Sequence, residues 1–107
     1  HEINLNNGIK LIQIIGSGFS NKNYNAIIGH DTGFNLSILK GKQGLIEDLV
    51  FDKPTILFSQ KGNWKVKIEE NEFNINSKDT FSLPLNTKVS VSIDNNEDCF
   101  LNCVSKA

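Results

Sequence analysis

Trp64-Lys65-Val66-Lys67-Ile68-Glu69 carries an apolar residue at every even position and a charged one at every odd position. Successive side chains of a strand point to opposite faces, so this period of two describes a β-strand packed on one face and wet on the other. The same reading extends outward to Phe73 and Ile75 against Asn74 and Asn76, to Phe81 and Leu83 against Ser82, and to Val89, Val91 and Ile93 against Ser90 and Ser92. Further strands are expected over 8–15, 33–39, 45–51, 55–60 and 99–104, and helical periodicity is nearly absent. Turn chemistry separates the runs at Gly16-Ser17-Gly18, Gly29-His30-Asp31-Thr32-Gly33, Lys53-Pro54, Gly62-Asn63, Ser77-Lys78-Asp79 and Asp94-Asn95-Asn96, and the polar stretch 19–25 reads as a loop. About eight to ten short strands at this spacing predict an all-β sandwich or barrel.

Composition narrows the function classes. A chain of 107 residues holds one domain, 1–107, able to bury about two thirds of its unfolded surface without metal or disulfide staples. A start at His1 suggests a tag remnant, a processed end or a domain cut from a longer chain. The 11 basic residues are all lysines and the net charge is -1, which argues against nucleic acid, where clustered Arg and Lys read phosphates and guanine edges. No apolar run approaches the 18 or so residues of a membrane helix. Cys99 and Cys103, four residues apart in one expected strand, would stand about 13 Å from each other and cannot bridge. Without a disulfide framework, a reducing, cytoplasmic setting is expected. Two cysteines with no CxxC and no His pair do not make a zinc site.

A longer pattern surrounds the opening stretch. Phe58-Ser59-Gln60-Lys61-Gly62-Asn63-Trp64-Lys65-Val66-Lys67 resembles the strand, glycine turn and strand that close the first motif of the cupins. Asn74 to Val89 resembles their second motif, with Asp79 at its turn aspartate, Pro84 at its proline and Asn86 where a glycine is usual. Asparagine tolerates a left-handed backbone, so that exchange is mild. The resemblance covers 27–104 and implies a single cupin-type double-stranded β-helix, the jelly-roll barrel of RmlC-like proteins.

What the resemblance implies about a metal is contradicted by the residues present. Cupins hold a metal with three histidines and a glutamate inside the barrel. Here Val89 stands at the second motif's histidine and Thr55 at the glutamate. The His-x-His pair falls on Asp48 and Val50, or on Leu49 and Phe51 if the spacer is one shorter. One carboxylate among Val, Thr and Leu does not hold a transition metal against water. No metal and no cofactor are therefore expected, and the motifs are degenerate.

No catalytic residue is assigned. Asp48, Val50, Thr55, Val89 and Trp64 are the candidates for lining a small-molecule pocket in the barrel. His30 reads as a solvated turn residue, and Lys65 and Lys67 as a wet stripe that protects an edge from pairing. The function expected is small-ligand binding, regulation or structure. The alternatives are a cupin enzyme, dioxygenase-like or sugar isomerase-like, in which Asp48, His30 and Tyr24 converge, or an unrelated carbohydrate-binding sandwich. A homodimer is expected, and the apolar run 9–15 is the expected place for a subunit or domain contact.

Overall fold

The structure is a computed structural model. It describes the backbone of residues 2–4, 8–15, 17–20, 25–28, 34–51 and 53–106, and the side chains of 8–12, 36–51 and 53–106. Ten strands follow in order: β1 (Glu2–Asn4), β2 (Lys10–Ile15), β3 (Ser17–Ser20), β4 (Asn25–Ile28), β5 (Phe34–Phe51), β6 (Thr55–Lys61), β7 (Trp64–Ile68), β8 (Asn71–Ile75), β9 (Thr80–Leu83) and β10 (Lys88–Lys106). No α-helix occurs among the described residues.

Two long antiparallel strands organise the molecule. β5 and β10 pair from Phe34 opposite Lys106 to Gly41 opposite Cys99, and again from Gln43 opposite Asp94 to Val50 opposite Lys88. The first half of this ribbon belongs to a layer ordered β1-β2-β5-β10-β6-β9. The second half carries β3 and β4 on the β5 side, and β7 and β8 on the β10 side. The buried residues of both halves form one core, among them Leu39, Leu57 and Leu101 from the first and Leu49, Trp64, Val66 and Val91 from the second. Two strands that pass from one layer into the other make a jelly roll, and this order is incompatible with an immunoglobulin-like sandwich.

The ribbon departs from the expected punctuation. Strands expected over 33–39 and 45–51 are one strand. The expected turn at Asp94-Asn95-Asn96 is a bulge, because four residues of β10 lie between Asp94 and Cys99 where β5 supplies only Lys42. An extra segment on one strand bends it, which carries the ribbon from one layer to the next. Near the N-terminus, Ser17 and Gly18 belong to β3, and of the expected loop 19–25, Phe19, Ser20 and Asn25 lie in strands.

Two turns follow the motif reading. Asn86 has φ 57°, the left-handed backbone expected where a glycine is usual, and its N–H donates to the Phe51 carbonyl at 2.9 Å. Asp79 accepts from the Asn76 N–H at 3.2 Å, and the Ser59 N–H donates to the Asp79 carbonyl at 3.0 Å, tying this turn to β6. Phe73 shares the parity of buried Ile75 and lies opposite buried Val66, but on this edge strand it is 39% exposed and leans on Phe81 with ring centroids 5.0 Å apart. The pair spans the open side of the barrel between edge strands β8 and β9.

Candidate functional site

The positions where cupins carry metal ligands lie at the start of β10, the end of β5 and the start of β6. Their arrangement is set by Asp48. Val91 opposes Ile46 and Val89 opposes Leu49, so two residues of β5, Glu47 and Asp48, face the single Ser90. Asp48 takes up the extra residue with φ 61°. A bulge of this kind resets the alternation. Ile46 and Leu49 therefore both point inward, and Phe51 follows.

Of the two spacings read from the sequence, the buried pair is Leu49 and Phe51, at 0% and 6% exposure. Asp48 and Val50 are only half-buried. Val89 and Thr55 are buried, and the Thr55 hydroxyl donates to the Lys53 carbonyl at 2.9 Å. Trp64 is fully buried, with its indole Nε1 donating to the Lys61 carbonyl at 3.2 Å. Leu49, Phe51 and Val89 offer hydrocarbon where a metal would need nitrogen or oxygen. The one oxygen in the set, that of Thr55, is a neutral hydroxyl already engaged in its own turn. The residues present do not fit the family's metal. Among the described residues no group of three His, Cys, Asp or Glu side chains is arranged to hold an ion.

Among the described residues, the candidate lining residues border two different hollows. Asp48 and Val89 border an open hollow of about 390 Å³ together with Glu47, Lys67, Glu69, Lys88 and Ser90. Thr55 borders a different hollow of about 530 Å³, with Pro54, Ile56, Ser82, Leu83 and Val104 around it. His30, Tyr24, Asp31 and Asp52 lie outside the described residues. No described helix is long and apolar enough to cross a membrane.

Burial and pairing bear on two further expectations. In the run 9–15, Ile9 and Leu11 are in the core at 0% and 1% exposure, so packing within the chain accounts for these two. Ile12 points to the opposite, half-buried side, and the side chains of 13–15 lie outside the described residues. Lys65 and Lys67 are exposed on β7 as expected, but β7 is paired on both sides, with β10 and β8, so the stripe guards no sheet edge.

The cysteines are free and buried. Burial pushes the Cys103 thiol up to about 12, so almost none of it is thiolate at neutral pH. Cys99 accepts from Asn95 Nδ2 at 3.2 Å within the bulge. Native protein is therefore expected to react with Ellman's reagent only as fast as the chain opens, with the rate rising as urea is added. Complete reaction of both thiols before any denaturant is added would contradict this burial.

At the surface, Lys61 Nζ and Glu97 Oε2 pair at 2.9 Å. The Lys61 ammonium holds the Glu97 carboxyl below its ordinary value, first through the hydrogen bond and then through its charge, and Glu97 raises Lys61 in return. The Glu97 contribution is present above the unfolded carboxyl's pKa and is lost as pH falls through the folded one. The Lys61 contribution is present below the ordinary lysine pKa and is lost at higher pH. Both groups are fully exposed, so solvent and salt screen the pair heavily.

No family profile matches the chain, and no curated protein matches it in sequence. Solved structures do match in shape. An RmlC-like cupin from Shewanella frigidimarina superposes with a TM-score of 0.69 over 99% of this chain and 82% of its own, at 9% identity. KdgF from Halomonas sp. gives 0.68 over 100% and 86%, at 12% identity. The EutQ protein of Clostridium difficile gives 0.61 over 69% of this chain at 14% identity, and the match spans 56% of EutQ. Likenesses at such identities speak for architecture, and together with the two-layer ribbon they establish that the fold of this chain is the cupin jelly roll.

Proposed function

We propose that this chain is a cupin barrel that has given up the family's metal chemistry and works by binding at its outer surface, as a regulatory or structural domain. The observation that supports this is the hydrocarbon at the ligand positions, where Leu49, Phe51 and Val89 are 0%, 6% and 1% exposed. Trp64, Val66 and Leu101 belong to the same buried core, which favours a binding site outside the barrel over one inside it. A small ligand would bind outside, and the hollow of about 530 Å³ beside Ile56 and Val104 falls in the size range of ligand pockets. The free, buried cysteines are compatible with a reducing, cytoplasmic setting.

The enzyme alternative needs Asp48 beside a histidine base and a tyrosine acid. Asp48 is on the outer side of a bulge, bordering a hollow with three lysine or serine neighbours, Lys67, Lys88 and Ser90. Metal content is the direct test. Protein purified without chelator is expected to hold far less than one Fe, Mn, Ni or Zn per chain by mass spectrometry of the elements, with the same Tm in EDTA as without it. A stoichiometric metal whose removal lowers Tm would overturn the reading, since a ligand bound only by the folded state must stabilise it.

A further inference from the structure

The outer faces of the two layers differ in chemistry. Over β7 and the adjoining half of β10 the outward residues are Lys65, Lys67, Ser90 and Ser92, a surface made for water. Over the other layer they are mostly apolar, with rows such as Leu36, Val104, Ile56 running across the strands. This face ends in the hollow of about 530 Å³ beside Ile56 and Val104. Pairing stops there for a chemical reason. The ladder between β10 and β6 runs to Ser105 opposite Thr55, and the ladder between β6 and β9 to Thr55 opposite Leu83. The residue before Thr55 is Pro54, which has no N–H to continue either ladder. Three strand ends therefore part around a concavity that no main-chain bond closes.

We propose that this hollow binds a small organic acid, with the apolar body of the ligand against Ile56 and Val104 and its carboxylate at Lys106. The inference rests on the outer-surface reading above and gives it a ligand class. Two independent observations select that class. The first is hydrocarbon. Pro54, Ile56, Leu83 and Val104 border the hollow, and Ile56 is 49% exposed. A single exposed aliphatic side chain on a flat surface means little, but one beside a concavity gains by being covered. The second is charge. Lys106 is the one charged residue among those bordering the hollow; it is exposed and has no carboxylate partner among the described residues. Lys40 and Lys61, on the same layer, already have theirs, at 4.0 Å from Asp98 Oδ2 and 2.9 Å from Glu97 Oε2.

Other ligand chemistries fit less well. An apolar amine would set like charges together at Lys106, and an alcohol would leave the ammonium to water. The hollow of about 390 Å³ has a different make-up, with Glu47, Asp48 and Glu69 beside Lys67 and Lys88. Its three carboxylates against two ammonium groups do not favour an anion. At about 530 Å³ the hollow beside Lys106 has the size of a site for one small molecule, and a free acid of about ten carbons falls within it.

Amide NMR spectra of the isotope-labelled full chain, titrated with decanoate, are the test, with decanol and decylamine as probes that share its body. Saturable shifts at Thr55, Ile56, Ser82, Val104 and Lys106 are expected, with a Kd of about 0.1–1 mM, as suits roughly a dozen ligand atoms in an open site. Lys106→Glu is expected to weaken decanoate about 10-fold at low ionic strength, to strengthen decylamine, and to leave decanol within about 2-fold. Ile56→Thr, which keeps a β-branched residue in the strand, should weaken decanoate and decanol alike by about 5-fold. In the unaltered protein, added salt should weaken decanoate relative to decanol, which carries the test if a variant does not fold. The absence of saturable shifts at these amides overturns the proposal, as does undiminished binding of decanoate by Lys106→Glu. Shifts centred on Glu47, Lys88 and Ser90 would overturn it and leave the outer-surface reading standing. Shifts centred on the buried Leu49, Phe51 and Val89 would overturn both.

Discussion

Trp64→Ala is expected to lower stability by about 4 kcal/mol, the cost of emptying a large buried aromatic site. The indole is fully buried on β7, between Ile75 of β8 and Ile93 of β10 in the register, and it belongs to the core cluster of both layers. A domain of this length has roughly 5–15 kcal/mol to lose. The loss should therefore appear as a fall in Tm of roughly 15–30 °C by circular dichroism or calorimetry. Trp64→Phe separates packing from hydrogen bonding. It keeps most of the buried area and removes only the donor to the Lys61 carbonyl, which sits in an exposed turn where water can replace it. Its expected cost is about 1–2 kcal/mol. As the chain's single tryptophan, Trp64 also reports on itself. Native emission should be blue-shifted and resistant to iodide, and equal losses for the Ala and Phe variants would show that the ring is not packed as described.

The resemblance and the burial pattern agree best where alternation is cleanest. Trp64 and Val66 are buried and Lys65 and Lys67 exposed, as period two requires. Asn86 adopts the left-handed backbone that its place in the second motif calls for. The long strands were harder to read, because Asp94-Asn95-Asn96 has the composition of a turn and the chain uses it as a bulge between two paired stretches. Asp48 was misleading for a related reason. Strict alternation gives either Asp48 with Val50 or Leu49 with Phe51. Only a residue at φ 61° decides between them, and no apolar pattern announces it. The outer apolar face did have a signal. Leu36, Ile38, Ile56, Phe58 and Phe100 stand at positions that alternation assigns to solvent, so these strands read as apolar on both faces. By contrast, within the apolar run 9–15, Ile9 and Leu11 are core.

Gly62→Ala is expected to cost about 3 kcal/mol, from two separable sources. Gly62 lies in the turn between β6 and β7 with φ +97°, outside the range that a residue with a Cβ adopts readily. An added Cβ would also run into Cys99 Sγ and stand 2.7 Å from the Cys99 Cβ, with the Ile93 Cδ1 at 3.6 Å. Cys99 cannot swing away, because it is fully buried at the point where β10 resumes its pairing after the bulge. The Ser59 hydroxyl, which donates to the Gly62 carbonyl, holds the turn from the other side. A double-mutant cycle with Cys99→Ala distinguishes the two sources. Removing the sulfur relieves the contact with Sγ but leaves the backbone strain and part of the Cβ crowding. The double variant should thus be more stable than the sum of the single losses predicts, by about 1–2 kcal/mol, the range seen for residues in contact. Strict additivity by urea titration would mean that the close approach of β10 to this turn is not as described. A Gly62→Ala loss within a few tenths of a kcal/mol of zero would remove the φ argument too. Asn is the informative third substitution. It tolerates positive φ better than Ala but brings the same Cβ, so a smaller loss for Asn than for Ala would reveal the backbone component.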